Sequence, residues 1–468
     1  MIYLDKKIKK PLYEQLYEIL RNEIIQGKMK KDTVLYPIRV LASELQVSNN
    51  TVIRAYQQLQ AEGYIRSTAG SGYYVENIEY LLKTDIPVRK EGDLEEKEKS
   101  KELELLYDFK YVSISADSFP WTKWKQYLQD AIWQESYQST VTYESNKGNE
   151  ELRKSLCEYL NSSRGINCRP EQIVICAGTQ YALDIITNLL NLPEYRLGFE
   201  EPGYDGMRKL FLNKGYEIIP LPLMRCGINL KNLSEVSCNL LYLTPSHQFP
   251  TGITTSLSER LWLLGWAHTH HTYIIENDYD NEFSYNKKRL PSLRSLDKYD
   301  HVIYLSTLSK VLSPSLRCAY FILPDSLLSV YEDKYKYYYS ALPTYHQTAL
   351  ANFINDGMLE KHARKMSSLN KAKYGIFSRT LKRLLPERVS IVGCPAGSHV
   401  LVQICGCTDQ KAFIRRMAEH GIGIYGTKEY WYEKEDAPED VFLFGYSSMS
   451  EEDIKTGCSA FADAVTDF

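Results

Sequence analysis

From residue 141 onward, short apolar runs alternate with helical stretches, and this alternation restricts the fold more than any other feature of the chain. Ile173-Val174-Ile175-Cys176, Asn239-Leu240-Leu241-Tyr242-Leu243, Tyr273-Ile274-Ile275 and His301-Val302-Ile303-Tyr304-Leu305 read as strands. Such continuous apolar runs have no face to give to water, so each strand needs cover on both sides. An α/β fold follows, with a mostly parallel sheet wrapped by helices. Several runs end in small or polar residues, and the carboxyl ends of such strands are where α/β folds hold ligands. Dozens of enzymes share that pattern. The residues at the strand ends must decide among them.

The chain has 468 residues, room for roughly three units at about 150 residues each. Hydrophobic residues at 44% and charged residues at 25% exclude a disordered, collagenous or disulfide-stapled protein. A net charge of −3 excludes a polycation that coats nucleic acid along its whole length. Charge is nevertheless segregated. Residues 1–75 hold 11 Lys/Arg against 7 Asp/Glu, whereas residues 76–108 hold 6 against 11. Within the acidic stretch, residues 89–101 contain one apolar side chain and cannot bury a face. The expected organisation is a basic module over residues 1–76, a charged linker over 77–106 and a large body over 107–468, with a smaller C-terminal subdomain from about 350. No apolar run approaches the roughly 18 residues of a membrane span, and the opening residues carry no secretory core, so the expected location is cytoplasmic. The ten cysteines lack metal-ligand spacing, so reduced thiols and no metal site are expected.

In the front module, Pro11 can open a helix whose face is Leu12, Leu16, Ile19, Leu20 and Ile24, with Gly27 as the stop. A second short helix would turn Val40, Leu41 and Leu45 inward. Ser48 is a good N-cap for a third helix, with Val52, Tyr56 and Leu59 on its apolar side and Asn49, Asn50, Arg54, Gln57 and Gln58 outward. Residues 64–66 and 73–75 can pair as a ribbon around Gly70-Ser71-Gly72. This order resembles the GntR-type winged helix-turn-helix, through Pro11-Leu12-Tyr13, Arg39-Val40-Leu41-Ala42, Val47-Ser48, Thr51-Val52, Ala55-Tyr56, Glu62-Gly63-Tyr64-Ile65 and Gly70-Ser71-Gly72. The resemblance implies a double-stranded DNA operator met by Arg39, Ser48, Asn49, Asn50, Thr51, Arg54, Tyr56, Gly70, Ser71 and Gly72. The family's Leu-Pro-Ser reads Leu35-Tyr36-Pro37 here, and its basic residues at two positions are Asn49 and Thr68. Each lost cation removes a phosphate contact, so two modules on one DNA gain importance.

The body resembles a fold-type-I aminotransferase. Gly148 through Arg153, Arg164-Gly165, Ala177-Gly178-Thr179-Gln180, Glu201-Pro202-Gly203-Tyr204, the run Thr244 to Gly252, Ser306-Thr307-Leu308-Ser309-Lys310 and Arg317 follow in that family's order. A winged helix fused to such a body is the MocR-type architecture, here closest to its GabR-like members. The resemblance implies large and small domains around pyridoxal 5′-phosphate. Lys310 would form the Schiff base. Gly178, Thr179, Thr307 and Arg317 would hold the phosphate, Tyr204 would stack on the ring, and Tyr279 would bond its phenolic oxygen. A homodimer is also implied.

Two departures bear on chemistry. Where the family has an aspartate for the pyridine nitrogen, this chain has Asn277. Strand alternation puts Asn277 and Tyr279 on one face and Asp278 on the other, although a one-residue slip would exchange them. An amide bonds the nitrogen without neutralising a pyridinium, which weakens the electron sink. The two arginines that grip a substrate carboxylate in GabR-like proteins are replaced by Gly206 and Ser448, while Arg208 reads as a surface residue of a helix, with an inward swing that replaces one arm as the other reading. The expected function is a DNA-binding transcriptional regulator whose aminotransferase-like domain senses a small molecule, an amine or the cofactor itself, with little or no full transamination. The alternative is an active aminotransferase carrying a DNA-binding appendage, kept open by Lys310. The run Tyr335-Lys336-Tyr337-Tyr338-Tyr339 reads as a half-buried helix, with an interface patch as the other reading.

Overall fold

The computed structural model describes all residues except 1, 3, 6–7, 69, 78–104, 112–117, 135–140, 226, 284–289 and 467–468. It divides into two compact units, Met1–Lys101 and Glu102–Phe468. The expected linker at 77–106 falls almost wholly outside the described residues.

The first unit has three helices, α1 (Leu12–Ile25), α2 (Ile38–Glu44) and α3 (Asn49–Ala61), followed by a hairpin of β1 (Ile65–Thr68) and β2 (Gly72–Val75). Leu16, Leu20, Ile24, Leu41, Val52, Leu59, Ile65 and Val75 form its core. The Ser48 side chain accepts a hydrogen bond from the Thr51 N–H, a cap that fixes where α3 begins. Val40 was expected inward but is 53% exposed, because on the seven-residue α2 the neighbours Leu41 and Ala42 take the buried side.

In the second unit, helix α4 (Glu150–Arg164) leads into strand β3 (Ile173–Cys176), and helix α5 (Thr179–Leu189) follows. Strand β4 (Arg196–Glu201), helix α6 (Asp205–Asn213), the pair β5 (Glu217–Met224) and β6 (Gly227–Ile228), β7 (Leu240–Leu243), β8 (Tyr273–Asn277), β9 (Val302–Thr307) and β10 (Ala319–Ile322) complete an eight-stranded sheet. Its order is β3-β10-β9-β8-β7-β4-β5-β6. The five strands from β9 to β5 run parallel, while β10 is antiparallel to both its neighbours. Strands β3, β7 and β10 are buried throughout, as their unbroken apolar runs require. The long helix α7 (Met358–Leu384) connects to a smaller four-stranded sheet of β11 (Val389–Ala396), β12 (His399–Ile404), β13 (Tyr425–Gly426) and β14 (Val441–Gly445), ordered β11-β12-β14-β13.

The tyrosine-rich run departs from its expected helix. Helical structure there stops at Lys334, and only Tyr335 is buried; Tyr337 is 80% exposed, and Tyr338 and Tyr339 are also exposed. All nine described cysteines are free, and no group of three or more His, Cys, Asp or Glu among the described residues is arranged to hold a metal. No helix there is long and apolar enough to cross a membrane.

Candidate functional site

A cavity opens at the carboxyl ends of the parallel strands, lined by Thr179, Tyr204, Asn277, Tyr279, Thr307, Lys310 and Arg317 among others. These residues come from the ends of four different strands, which only the sheet order brings together. Gly178 stands at the head of α5 with φ 101°, a left-handed conformation that leaves the helix without a side-chain cap. A Cβ at Gly178 would lie 2.2 Å from Nη2 of Arg317, so the missing side chain is what admits that guanidinium. Arg317 itself has φ 48° and donates to the Ala177 carbonyl at 3.3 Å. Free N–H groups at a helix start beside a guanidinium make an anion-binding corner. Thr307, at the end of β9, donates its hydroxyl to the Cys318 carbonyl at 3.2 Å and accepts the Ser309 N–H at 3.1 Å.

Lys310 projects into the same cavity, with Nζ 3.9 Å from the centre of the Tyr111 ring. Burial pushes its amine down to about 8, partly opposed by the negative charge of Asp280. Tyr204 meets Phe249 edge-on at 5.5 Å, and burial raises its phenol. The Tyr279 phenol is pushed well above its usual range by burial and then by Asp280, so it stays a hydroxyl.

Asn277 lines the cavity and Asp278 does not. The Asp278 carboxylate lies 2.7 Å from Nη2 of Arg164 and accepts the Tyr304 hydroxyl at 2.7 Å, fully buried on the other face of the strand. Asn277 Nδ2 donates to the Tyr242 hydroxyl at 2.6 Å, while its Oδ1 is buried with no partner among the described residues. Next to it, burial raises the Glu200 carboxyl to about 7, against hydrogen bonds from Thr244 and Gln248.

Arg208 corrects its sequence-based assignment to the surface. It is only 5% exposed and donates to the carbonyls of Glu429, Tyr430 and Trp431 at 2.7–3.0 Å, with Glu201 at 3.9 Å. Its donors fasten α6 to a segment of the small domain. Gly206 stands beside the Tyr204 ring, and Ser448 does not line the cavity.

On the first unit, Arg39, Asn49, Asn50, Arg54, Gly70, Ser71 and Gly72 are exposed. Ser48 and Thr51 spend their hydroxyls on each other at 2.9 Å. Tyr56 does not belong with them. It is fully buried, donates its hydroxyl to the Tyr36 carbonyl at 2.9 Å and packs edge-on against Tyr73. Its place on the apolar side of α3 already excluded a groove contact.

Sequence reasoning assigned no role to Tyr242, Glu200, Tyr111 or the pair His247 and Asp280, although all five line the cavity or adjoin its lining. Tyr242 and Glu200 sit at strand carboxyl ends, where position alone was a usable signal. Tyr111 follows no motif.

Comparison with known proteins covers both units. The model for bacterial regulatory proteins of the gntR family matches residues 12–75, and that for aminotransferase class I and II matches residues 113–461. The chain is 34% identical to the uncharacterized HTH-type transcriptional regulator YdeL of Bacillus subtilis, over 97% of each chain. It is 30% identical to the probable rhizopine catabolism regulatory protein MocR of Rhizobium meliloti, over 99% of this chain and 96% of that one. It is 28% identical to the HTH-type pyridoxine biosynthesis transcriptional regulator PdxR of Corynebacterium glutamicum, over 97% and 95%. A Pyrococcus horikoshii kynurenine aminotransferase superposes with a TM-score of 0.70 at 21% identity, covering 78% of this chain and 91% of that one, a likeness of fold alone.

Proposed function

The chain belongs to the MocR-type transcriptional regulators, a GntR helix-turn-helix unit joined to a class I and II aminotransferase unit, and from that premise we propose that it carries pyridoxal 5′-phosphate at Lys310 and reads occupancy of that site as its signal. The observation that carries this reading is the anion corner of Gly178, Thr179 and Arg317 in one cavity with the buried Lys310 amine.

The residues present fit that cofactor. The helix start and Arg317 suit a phosphate, Tyr204 offers a ring face, and the unpartnered Asn277 Oδ1 suits a ring nitrogen that carries a proton. When bound, the group supplies an aldehyde that the lysine amine can capture and an aromatic ring that can accept electrons. Lys310 supplies the nucleophile, and burial leaves a useful fraction of it neutral near physiological pH. Asn277 holds the ring nitrogen without a charge, so the residues support capture better than turnover. Arg208 is spent on three carbonyls, and the two clamp positions hold Gly206 and Ser448, so no pair of arginines among the described residues is free to grip a substrate carboxylate. The effector is therefore the cofactor itself or an amine without a carboxylate. The relative named for pyridoxine biosynthesis supports the first choice.

The DNA-binding form is a homodimer that places two winged helices on two half-sites. Asn49 and Thr68 leave each module short of cations, and a tethered pair recovers affinity through effective concentration. The test is the visible absorbance of the purified protein, followed by borohydride reduction and mass analysis that places the adduct on Lys310. Protein that stays colourless in excess cofactor would overturn the reading.

A further inference from the structure

Behind Tyr279 lies a histidine–carboxylate pair that the capture of a cofactor does not by itself require. His247 Nδ1 is 2.6 Å from Asp280 Oδ2 and 3.4 Å from the Tyr279 hydroxyl, and both side chains of the pair are buried. That contact places the Nδ1 hydrogen toward Asp280 and leaves Nε2 bare. Among the described residues Nε2 is buried with no partner, an acceptor lone pair left unsatisfied. The turn at Gly397 closes over the pair: a Cβ there would meet Asp280 Oδ2 at 2.5 Å and His247 Cε1 at 2.6 Å. The Cys394 carbonyl borders the same space above Gly252 as Nε2 does.

Among the described residues, the charges around the pair are few. Asp280 is the carboxylate that acts on Lys310, Tyr279 and Tyr111 together. Glu200 also acts on Tyr279. His399 donates Nε2–H to the Pro250 carbonyl at 3.1 Å, and burial, with His247 and Lys310 nearby, holds it neutral. Tyr111 and Tyr279 remain phenols. Among the described residues, the countercharge to Asp280 therefore rests on Lys310 or on His247. Once Lys310 is tied to a carbonyl carbon as a neutral group, it falls to His247.

We propose that the His247–Asp280 pair is the proton store of the lysine site, holding on His247 Nε2 the proton that Lys310 sheds when it captures an aldehyde. The ammonium of Lys310 carries three protons; two leave with the aldehyde oxygen as water, and the third moves to His247. Asp280 keeps a cationic neighbour before and after. This rests on the reading that Lys310 captures pyridoxal 5′-phosphate.

The test is titration calorimetry of the full chain with pyridoxal 5′-phosphate in buffers of different ionisation enthalpy, which counts protons released per bound molecule. His247→Gln fills the space but holds no proton, so it should release about one proton more per site than the unaltered protein. Asp280→Asn removes the countercharge and should shift the count the same way, and it serves if the first variant fails to fold. Equal counts in all three proteins would overturn the proposal while leaving capture intact. An unaltered protein that neither binds nor colours would instead overturn the reading beneath it.

Discussion

The two walls of the cavity differ in charge. On one, the head of α5, Arg317 and Lys310 present donors and cations. On the other, Asn277 and Tyr242 present a neutral amide and a phenol that burial keeps protonated. The two positions expected to carry a carboxylate clamp hold Gly206 and Ser448, and the nearby arginine is locked to backbone. Anchoring a phosphate-bearing ring and turning over a carboxylate-bearing substrate thus draw on different walls. One can stand without the other.

The sharpest way to break this contrast is at the charged wall. Lys310→Ala should abolish the visible band and the borohydride adduct altogether, since no second amine among the described residues lines the cavity. Retained colour with an adduct elsewhere would move the site.

Arg208→Ala asks whether the neutral wall hides an arm. Removing a buried guanidinium that satisfies three carbonyls should cost about 3 kcal/mol, read as a clear fall in melting temperature. Binding of plain amino acids, negligible beforehand, should stay negligible. Measurable amino-acid binding by the unaltered protein, lost in a variant whose melting is unchanged, would show Arg208 to be the missing clamp.

Gly178→Ala probes the anion corner. The new Cβ would both strain a backbone at φ 101° and displace the Arg317 guanidinium. A cost of about 2 kcal/mol corresponds to cofactor affinity weaker by roughly thirtyfold. Pyridoxal without its phosphate should lose far less, and equal losses would remove the phosphate assignment.

How much of this was legible in the sequence depends on which force placed each residue. Strand runs such as residues 173–176 were readable because burial on both faces leaves an unmistakable apolar run. Asn277 and Asp278 were assigned to opposite faces by alternation alone, and the Arg164 contact shows what holds Asp278 away. Arg208 was unreadable, because its partners are backbone carbonyls more than 200 residues away that carry no side-chain signature. Tyr335 to Tyr339 misled for the opposite reason. Local propensity suggested a helix, but tertiary contacts bury only Tyr335 and leave its neighbours outside. Tyr56 was a conflict within the sequence reading itself, since one side of α3 cannot face both the core and a groove.

Asn277→Asp sharpens the neutral wall. A carboxylate opposite the ring nitrogen should raise the rate of a transamination half-reaction with an added amino acid by roughly tenfold or more, followed as loss of the visible band. The increase stays bounded because the clamp positions remain Gly206 and Ser448. Substantial turnover by the unaltered protein would erase the contrast between the walls.

The smallest effect concerns pH and belongs to Lys310. Burial disfavours its ammonium, so the folded protein binds that proton less tightly than an exposed lysine does, at about 8 against the usual 10.5. Only the neutral amine attacks a carbonyl. The rate of cofactor capture should therefore rise about fivefold from pH 7 to pH 8 and level off by about pH 9, followed by stopped-flow absorbance. An exposed lysine would still gain nearly tenfold per unit through that plateau. Asp280 opposes the shift, so Asp280→Asn should move the plateau to lower pH. A rate still climbing steeply above pH 9 would mean that the Lys310 amine is not buried when it reacts, and the charged wall would have to be open to water.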